Sequence, residues 1–374
     1  MTQRFDRRTA LGGAAGTAAA YSSAGRVQAG SAPTPAPGTD DDMDERTADL
    51  RDKIARMIVS PVTGTSLSDT EADRLTALRP GGVILIGDNI GEDGDIAPFT
   101  AAIHAAIPDR PPRIFVDQEG GVVRRIRADD EPDQPTMGSM PLDEVAAVAT
   151  RRSELVRRYG FDVNCAPVAD VASTADSFMA SRSFGDDPER VADRVAATVT
   201  AMTDAGVIGA AKHFPGHGAT SVDSHEELPT VNVTYEQWLE GEAIPFQRAI
   251  AAGTPMVMLG HLMYPNWPDW GDTPATFNPE VYRVLREELG YGGVIITDDL
   301  GMGALAGWEP LEVIDRAVDC GVDLLLIVVQ RAEVGDVLDH LVGRVLDGSL
   351  SEERIDESLG RIDRLPESPG IGEV

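Results

Sequence analysis

The densest chemistry in the chain lies in one stretch, Lys212-His213-Phe214-Pro215-Gly216-His217-Gly218-Ala219-Thr220-Ser221-Val222-Asp223-Ser224-His225. It holds three of the six histidines and one of only two lysines, the other being Lys53. In a chain so poor in Lys, a Lys at the end of an apolar run reads as a compact cation and donor kept for chemistry. Asp223 and His225 are close enough in sequence for the carboxylate to bond an imidazole nitrogen, and a paired imidazolium can donate a proton near neutral pH. Three readings compete. His225 is a general acid/base oriented by Asp223; or His213, His217, Asp223 and His225 hold a metal; or the stretch is a structural loop. The order His, His, Asp, His here is not a standard zinc spacing, and Lys212 would oppose a cation. So many titratable residues together are also unusual for a loop that only connects elements. No metal is therefore expected. His217, between two glycines, reads as loop-shaping.

A nucleophile is then required. The apolar run Gly293-Val294-Ile295-Ile296-Thr297 ends in Asp298-Asp299. Asp298 is the candidate; Asp299 reads as a cap or a backbone acceptor, because adjacent side chains point in different directions. Other apolar runs also stop at polar residues: Asp88-Asn89, Asp117-Gln118-Glu119, Asn164 and His261.

These residues need a scaffold that gathers run ends into one place. Eight short apolar runs, at 57–60, 82–86, 113–117, 161–167, 207–213, 256–261, 294–298 and 323–329, alternate with amphipathic stretches at 44–56, 68–78, 95–107, 142–159, 187–205, 234–252, 278–289, 309–319, 331–346 and 351–364. Nearly continuous apolar strands indicate a parallel sheet buried on both faces. Eight of them, alternating with helices, predict a (β/α)8 TIM-type barrel as a single catalytic domain over 44–374, with the polar run ends at one mouth. The alternative, an open doubly wound sheet, lacks a G-x-G-x-x-G opening a helix.

With that frame in place the motifs resemble a known family. Lys212 to His225 followed by Leu228-Pro229, Asp117-Gln118-Glu119-Gly120-Gly121, Ser181-Arg182-Ser183-Phe184, Pro274-Ala275-Thr276-Phe277 and Thr297-Asp298-Asp299-Leu300-Gly301-Met302 are similar, in order, to glycoside hydrolase family 3. The similarity covers roughly 45–330 and is strongest to the single-domain β-N-acetylglucosaminidase (β-hexosaminidase) branch. The resemblance implies a retaining β-glycosidase: Asp298 the nucleophile, His225 the acid/base, Asp223 its partner, and Asp117, Arg125, Arg182, Lys212 and His213 binding the terminal sugar. His261 is expected near the sugar without an assigned role. No cofactor is implied, and the partner is a carbohydrate ending in N-acetylglucosamine. Thr297 stands where Ser is commoner, and Val122-Val123 replaces a more polar pair. The alternatives are a phosphorylase or β-glucosidase of the same family, or a glycan-binding surface protein on a barrel that has lost catalysis.

Composition narrows the setting. The chain of 374 residues carries 62 Asp+Glu against 32 Lys+Arg, a formal charge of −30. Nucleic-acid binding is excluded because phosphate contacts need a basic surface. An acidic chain almost without Lys suits concentrated salt, where screening tolerates self-repulsion; the alternative source of the Arg excess is a GC-rich genome. The acid excess falls entirely after residue 39, because the first 39 residues carry four Arg and one Asp. Arg7-Arg8, the mild apolar run 9–24 and Val27-Gln28-Ala29 resemble a twin-arginine signal over 1–29, followed by a Pro- and Asp-rich linker at 30–43. The expectation is a secreted or cell-surface enzyme, or a cytoplasmic one if the segment is only a tail. No membrane span is expected, and a monomer is. Cys165 and Cys320 are too few for a disulfide framework.

Overall fold

The computed structural model describes residues 40–367, apart from Asp269 and Gln330. The segment 1–29 and most of the linker lie outside the described residues. The first helix, Asp40–Ala55, begins four residues before the expected 44.

Among the described residues ten strands follow: β1 (Ile58–Pro61), β2 (Gly82–Leu85), β3 (Arg113–Val116), β4 (Gln118–Gly120), β5 (Val123–Arg124), β6 (Val163–Asn164), β7 (Ile208–Phe214), β8 (Met256–Leu259), β9 (Val294–Thr297) and β10 (Leu325–Leu326). Eight pair in parallel in the order β10-β1-β2-β3-β6-β7-β8-β9. The parallel bridge Ile296–Leu324 and the bond from Leu324 N–H to the Ile295 carbonyl close β9 against the run into β10. The result is the expected (β/α)8 barrel. Every residue of β2, β7, β8 and β9 is buried, which accounts for their mainly apolar character, broken only by Lys212-His213 and Thr297 toward the strand ends.

The helices cover the strands for local reasons. Pro188–Asp204 starts on Asp187, whose carboxylate accepts the Arg190 N–H at 2.8 Å, with Pro188 in the first turn. It buries Val191, Val195, Val199 and Met202 along one stripe. Each such side chain contributes roughly 1.5–3 kcal/mol of apolar burial. The expected helix 234–252 is two pieces, Tyr235–Leu239 and Ala243–Ala251, separated at Glu240–Glu242 around Gly241.

Two expected strands shrink to two residues each, one of them because side chains take over the ladder. At 323–329 only Leu325–Leu326 remains, since the Leu326 N–H goes to Thr297 Oγ1 and the Val328 and Val329 N–H groups go to the Asp299 carboxylate. At 161–167 only Val163–Asn164 is regular, and Pro167 has no N–H to contribute. An unexpected hairpin, β4–β5, folds over the end of β3. Its turn is made by Gly120 and Gly121, at φ +90° and +61°, where side chains are strained.

Candidate active site

β7 delivers Lys212 and His213 to the barrel mouth as adjacent residues. The Lys212 Nζ donates to Asp117 Oδ1 at 2.6 Å and pairs with Glu119 Oε1 at 2.7 Å, and the residue is 2% exposed. Arg182 grips Glu119 with both arms of its guanidinium, at 2.9 and 2.7 Å. Burial alone would raise the Glu119 carboxyl; Lys212 and Arg182 outweigh it and lower it to about 2. Burial likewise opposes the Lys212 cation, and Asp117 and Glu119 overcome it and push its pKa up. The two carboxylates are set by the hairpin. The Gln118 amide oxygen accepts the Arg125 and Ile126 N–H groups, both at 2.8 Å, and the Gln118 backbone exchanges bonds with the Asn164 side chain at 2.9 and 3.0 Å.

The same turn decides between the two neighbouring arginines. Arg124 is exposed and donates to the Asp129 carbonyl. The Arg125 guanidinium lies near Gly87, just past the end of β2, and among the described residues its buried Nε has no partner. Arg125 is therefore the one presented to the mouth.

His213 is held from behind. Its Nδ1 lies 2.7 Å from Asp170 Oδ2, which can only accept, so Nδ1 carries the proton and Nε2 faces the mouth. That nitrogen is 4.0 Å from Asp298 Oδ2 and 3.5 Å from the Arg182 guanidinium. Asp170 Oδ1 also accepts the backbone N–H groups of His213 and His217, at 3.1 and 2.7 Å. In Asp170→Asn an amide N–H must face one of these three donors. We expect kcat to fall roughly 100-fold through misplacement of His213, with KM changing less; an unchanged kcat would show that the ring needs no anchor.

Asp298, at the end of β9, is 17% exposed along its side chain. Its Oδ1 accepts the Asp299 N–H at 2.8 Å, and among the described residues no hydrogen bond reaches Oδ2. Burial would raise this carboxyl, yet His213, His261, the Asp299 N–H and Lys212 together hold it below the ordinary value. A carboxylate kept ionised with one free oxygen can attack an electrophilic carbon. Asp299 does the structural work expected of it, accepting N–H groups from Gly301, Val328 and Val329.

The Asp223–His225 pair forms as expected: His225 Nδ1 is 2.7 Å from Asp223 Oδ1, which also accepts the His225 N–H at 2.9 Å. The free imidazole nitrogen is therefore Nε2. The His225 side chain is 64% exposed, and among the described residues Asp223 is the one hydrogen-bonded partner of its ring, with no ion pair to Asp298. The loop backbone is nonetheless docked beyond Asp298: the Gly303 N–H donates to the His225 carbonyl and the Ala304 N–H to the Ser224 carbonyl, at 3.0 and 3.1 Å.

His217 is buried, and burial followed by the nearby His213 lowers its pKa to about 4 from the ordinary 6.5. Between these values the unfolded chain binds a proton that the folded chain refuses. The contribution of His217 to stability is thus complete above pH 6.5 and is lost as pH falls through 4. Accordingly, the melting temperature of His217→Gln should decline less steeply than wild type between pH 6.5 and 4; parallel curves would refute the assignment.

Asp117, Lys212, Arg182, His213 and Asp298 thus form one connected group, with Arg125 on the far rim and the dyad on a docked loop. His261, expected near the sugar without a role, lies behind Asp298: it is fully buried, with Nε2 donating to the Asp299 carbonyl at 2.9 Å and Nδ1 on the Thr276 hydroxyl, and it helps hold Asp298 ionised. Sequence reasoning missed Glu119 and Asp170 as functional supports. Asp170 closes the run Cys165-Ala166-Pro167-Val168-Ala169, so an acid at the end of an apolar run was its available signal.

The fold and this group define a barrel with a cluster of charged and hydrogen-bonding side chains at the C-terminal ends of its strands, where barrel enzymes carry their chemistry. The profile of the "Glycosyl hydrolase family 3 N terminal domain" matches residues 49–365. The chain belongs to this family, and is a glycoside hydrolase. A beta-hexosaminidase of Stenotrophomonas maltophilia is 35% identical over 304 residues, covering 78% of this chain and 88% of the relative. One of Xylella fastidiosa is 35% identical over 300 residues, covering 77% and 88%. Among solved structures, a family 3 beta-N-acetylglucosaminidase from Paenibacillus superposes with a TM-score of 0.80 at 33% identity, covering 84% of this chain but only 62% of that longer one. A family 3 glycosyl hydrolase from Mycobacterium smegmatis gives 0.74 at 31% identity, covering 85% and 97%.

Proposed function

We propose that the protein is a retaining exo-β-N-acetylglucosaminidase. The observation that carries the reading is the pairing of Asp298, ionised with Oδ2 unencumbered, with the Asp223–His225 dyad docked on the turn that follows it. The names of the hexosaminidase relatives support the same sugar.

In the first step Asp298 Oδ2 attacks the anomeric carbon. The new C1–O bond forms as the glycosidic C1–O bond breaks, and protonated His225 gives its Nε2 proton to the departing oxygen. In the second step neutral Nε2 takes a proton from water, the water oxygen bonds C1, and the Asp298 carboxylate leaves. Two inversions give net retention. Asp117 accepts sugar hydroxyls while Lys212, Arg182, Arg125 and His213 donate or orient, and the fixed, largely buried charges of the cluster strengthen these bonds.

The experiment is hydrolysis of a panel of aryl β-glycosides in concentrated KCl, with and without phosphate. The expected result is N-acetylglucosamine released first as the β-anomer. Activity on the β-glucoside but not the N-acetylglucosaminide overturns the sugar assignment. Sugar 1-phosphate as the main product makes the protein a phosphorylase, for which a neutral His base, unlike a carboxylate, would not repel the phosphate nucleophile. The acid excess leads us to place the enzyme in a salt-rich setting and, through 1–29, outside the cytoplasm.

A further inference from the structure

Ser224 stands between the two members of the dyad and behaves differently from both. It is 3% exposed, whereas the Asp223 and His225 side chains are 31% and 64% exposed. Its Oγ lies 3.0 Å from His217 Nε2 and its carbonyl accepts the Ala304 N–H. Gly303, which bonds the next carbonyl, has no room for a side chain: a Cβ there would sit 2.3 Å from the Glu226 oxygen and 2.6 Å from the His225 oxygen. His217 is itself immobilised, by its N–H to Asp170 Oδ1 and by the Phe178 ring at 5.4 Å. Among the described residues its buried Nδ1 has no partner. An unfilled lone pair there is less unfavourable than an unbonded N–H, so Nε2 carries the proton and donates to Ser224 Oγ. A continuous path therefore runs from Asp170, which anchors His213 beside Asp298, through His217 to the middle of the exposed dyad loop.

We infer that Ser224 and His217 form a buried latch that positions His225 over the reacting bond. Neither touches substrate; both act through the loop, and the inference rests on the reading of His225 as acid/base. A serine hydroxyl has the reach for this. Alanine would free the loop at its centre while leaving the two backbone bonds in place.

The test separates substrates by their need for a proton. A 2,4-dinitrophenyl N-acetylglucosaminide loses its leaving group without acid help, whereas the methyl glycoside requires it. For Ser224→Ala, kcat/KM should fall about tenfold or more on the methyl glycoside and stay within about twofold on the dinitrophenyl one, since a displaced general acid loses only its own share of the acceleration. His217→Ala should show the same split, and His217→Gln, which keeps an N–H donor near the Nε2 position, should recover part of it. Equal losses on both substrates, or no loss on either, overturn the latch. If Ser224→Ala does not fold, the comparison of His217→Gln with His217→Ala decides in the same way. His225→Ala distinguishes the two levels. No split there defeats the acid/base reading itself; a split there with none at Ser224 or His217 defeats the latch alone.

Discussion

Asp298→Ala should lower kcat/KM on aryl N-acetylglucosaminides by roughly 10⁴-fold or more, the scale seen when a covalent nucleophile is removed. The fold should survive. The one side-chain hydrogen bond lost is that from the Asp299 N–H, and the position lies at the mouth, not in the apolar core. Deletion also removes a carboxylate whose burial is itself unfavourable and which is kept ionised only by His213, His261, the Asp299 N–H and Lys212. The expected signature is thus a large kinetic loss with a melting temperature close to wild type. A slow fluorosugar that traps the glycosyl-enzyme should add one sugar mass to the peptide containing Asp298 in the wild type and none in the variant. Hydrolysis within tenfold of wild type, or a label on another peptide, would move the nucleophile elsewhere.

Lys212→Ala should damage both stability and catalysis. Its ammonium neutralises two carboxylates at once, and one of them, Glu119, is almost wholly buried. Taking one partner from a buried ion cluster leaves charge without compensation and costs about 3–5 kcal/mol. Arg182 stays on Glu119, which places the expected loss toward the lower end, about 3 kcal/mol by denaturant titration. Lys212→Arg should not rescue it: the site holds one compact point charge between Asp117 and Glu119, and a planar fork already occupies Glu119. Loss of activity without loss of stability would mean that water replaces the ammonium. That outcome would also weaken the view of Asp117 as a preorganised acceptor.

Much of this arrangement was legible beforehand because it follows from strand periodicity. A closed parallel barrel puts the C-terminal ends of all its strands at one mouth, so polar residues terminating apolar runs must converge there. That is why Asp117, Lys212, His213 and Asp298 could be named from distant segments. Lys212 stood out because the chain contains so few lysines. The strand ends themselves were harder to read. Thr297 and Asp299 capture N–H groups that an apolar pattern assigns to a ladder, and nothing in 323–329 announces that its partners are side chains. What His261 does was illegible for a related reason: a histidine at a strand end faces the mouth or the wall depending on the neighbouring loops, and here Thr276 and the Asp299 carbonyl take its two ring nitrogens.

The amino-acid order alone determined the barrel, the face that carries the chemistry, the candidate nucleophile and the dyad, since these depend on local periodicity, run ends and a spacing of two residues. Tertiary structure alone decided which groups hold them. His213 and Asp170 are 43 positions apart, and Lys212 and Asp117 are 95 apart. Such pairs meet through the register of parallel strands and the path of the loops above them, which leaves no local periodicity to read. The same holds for Ser224: at the centre of an exposed loop it looks like a spacer between two catalytic candidates, and only the packing of His217 beneath it makes it an anchor.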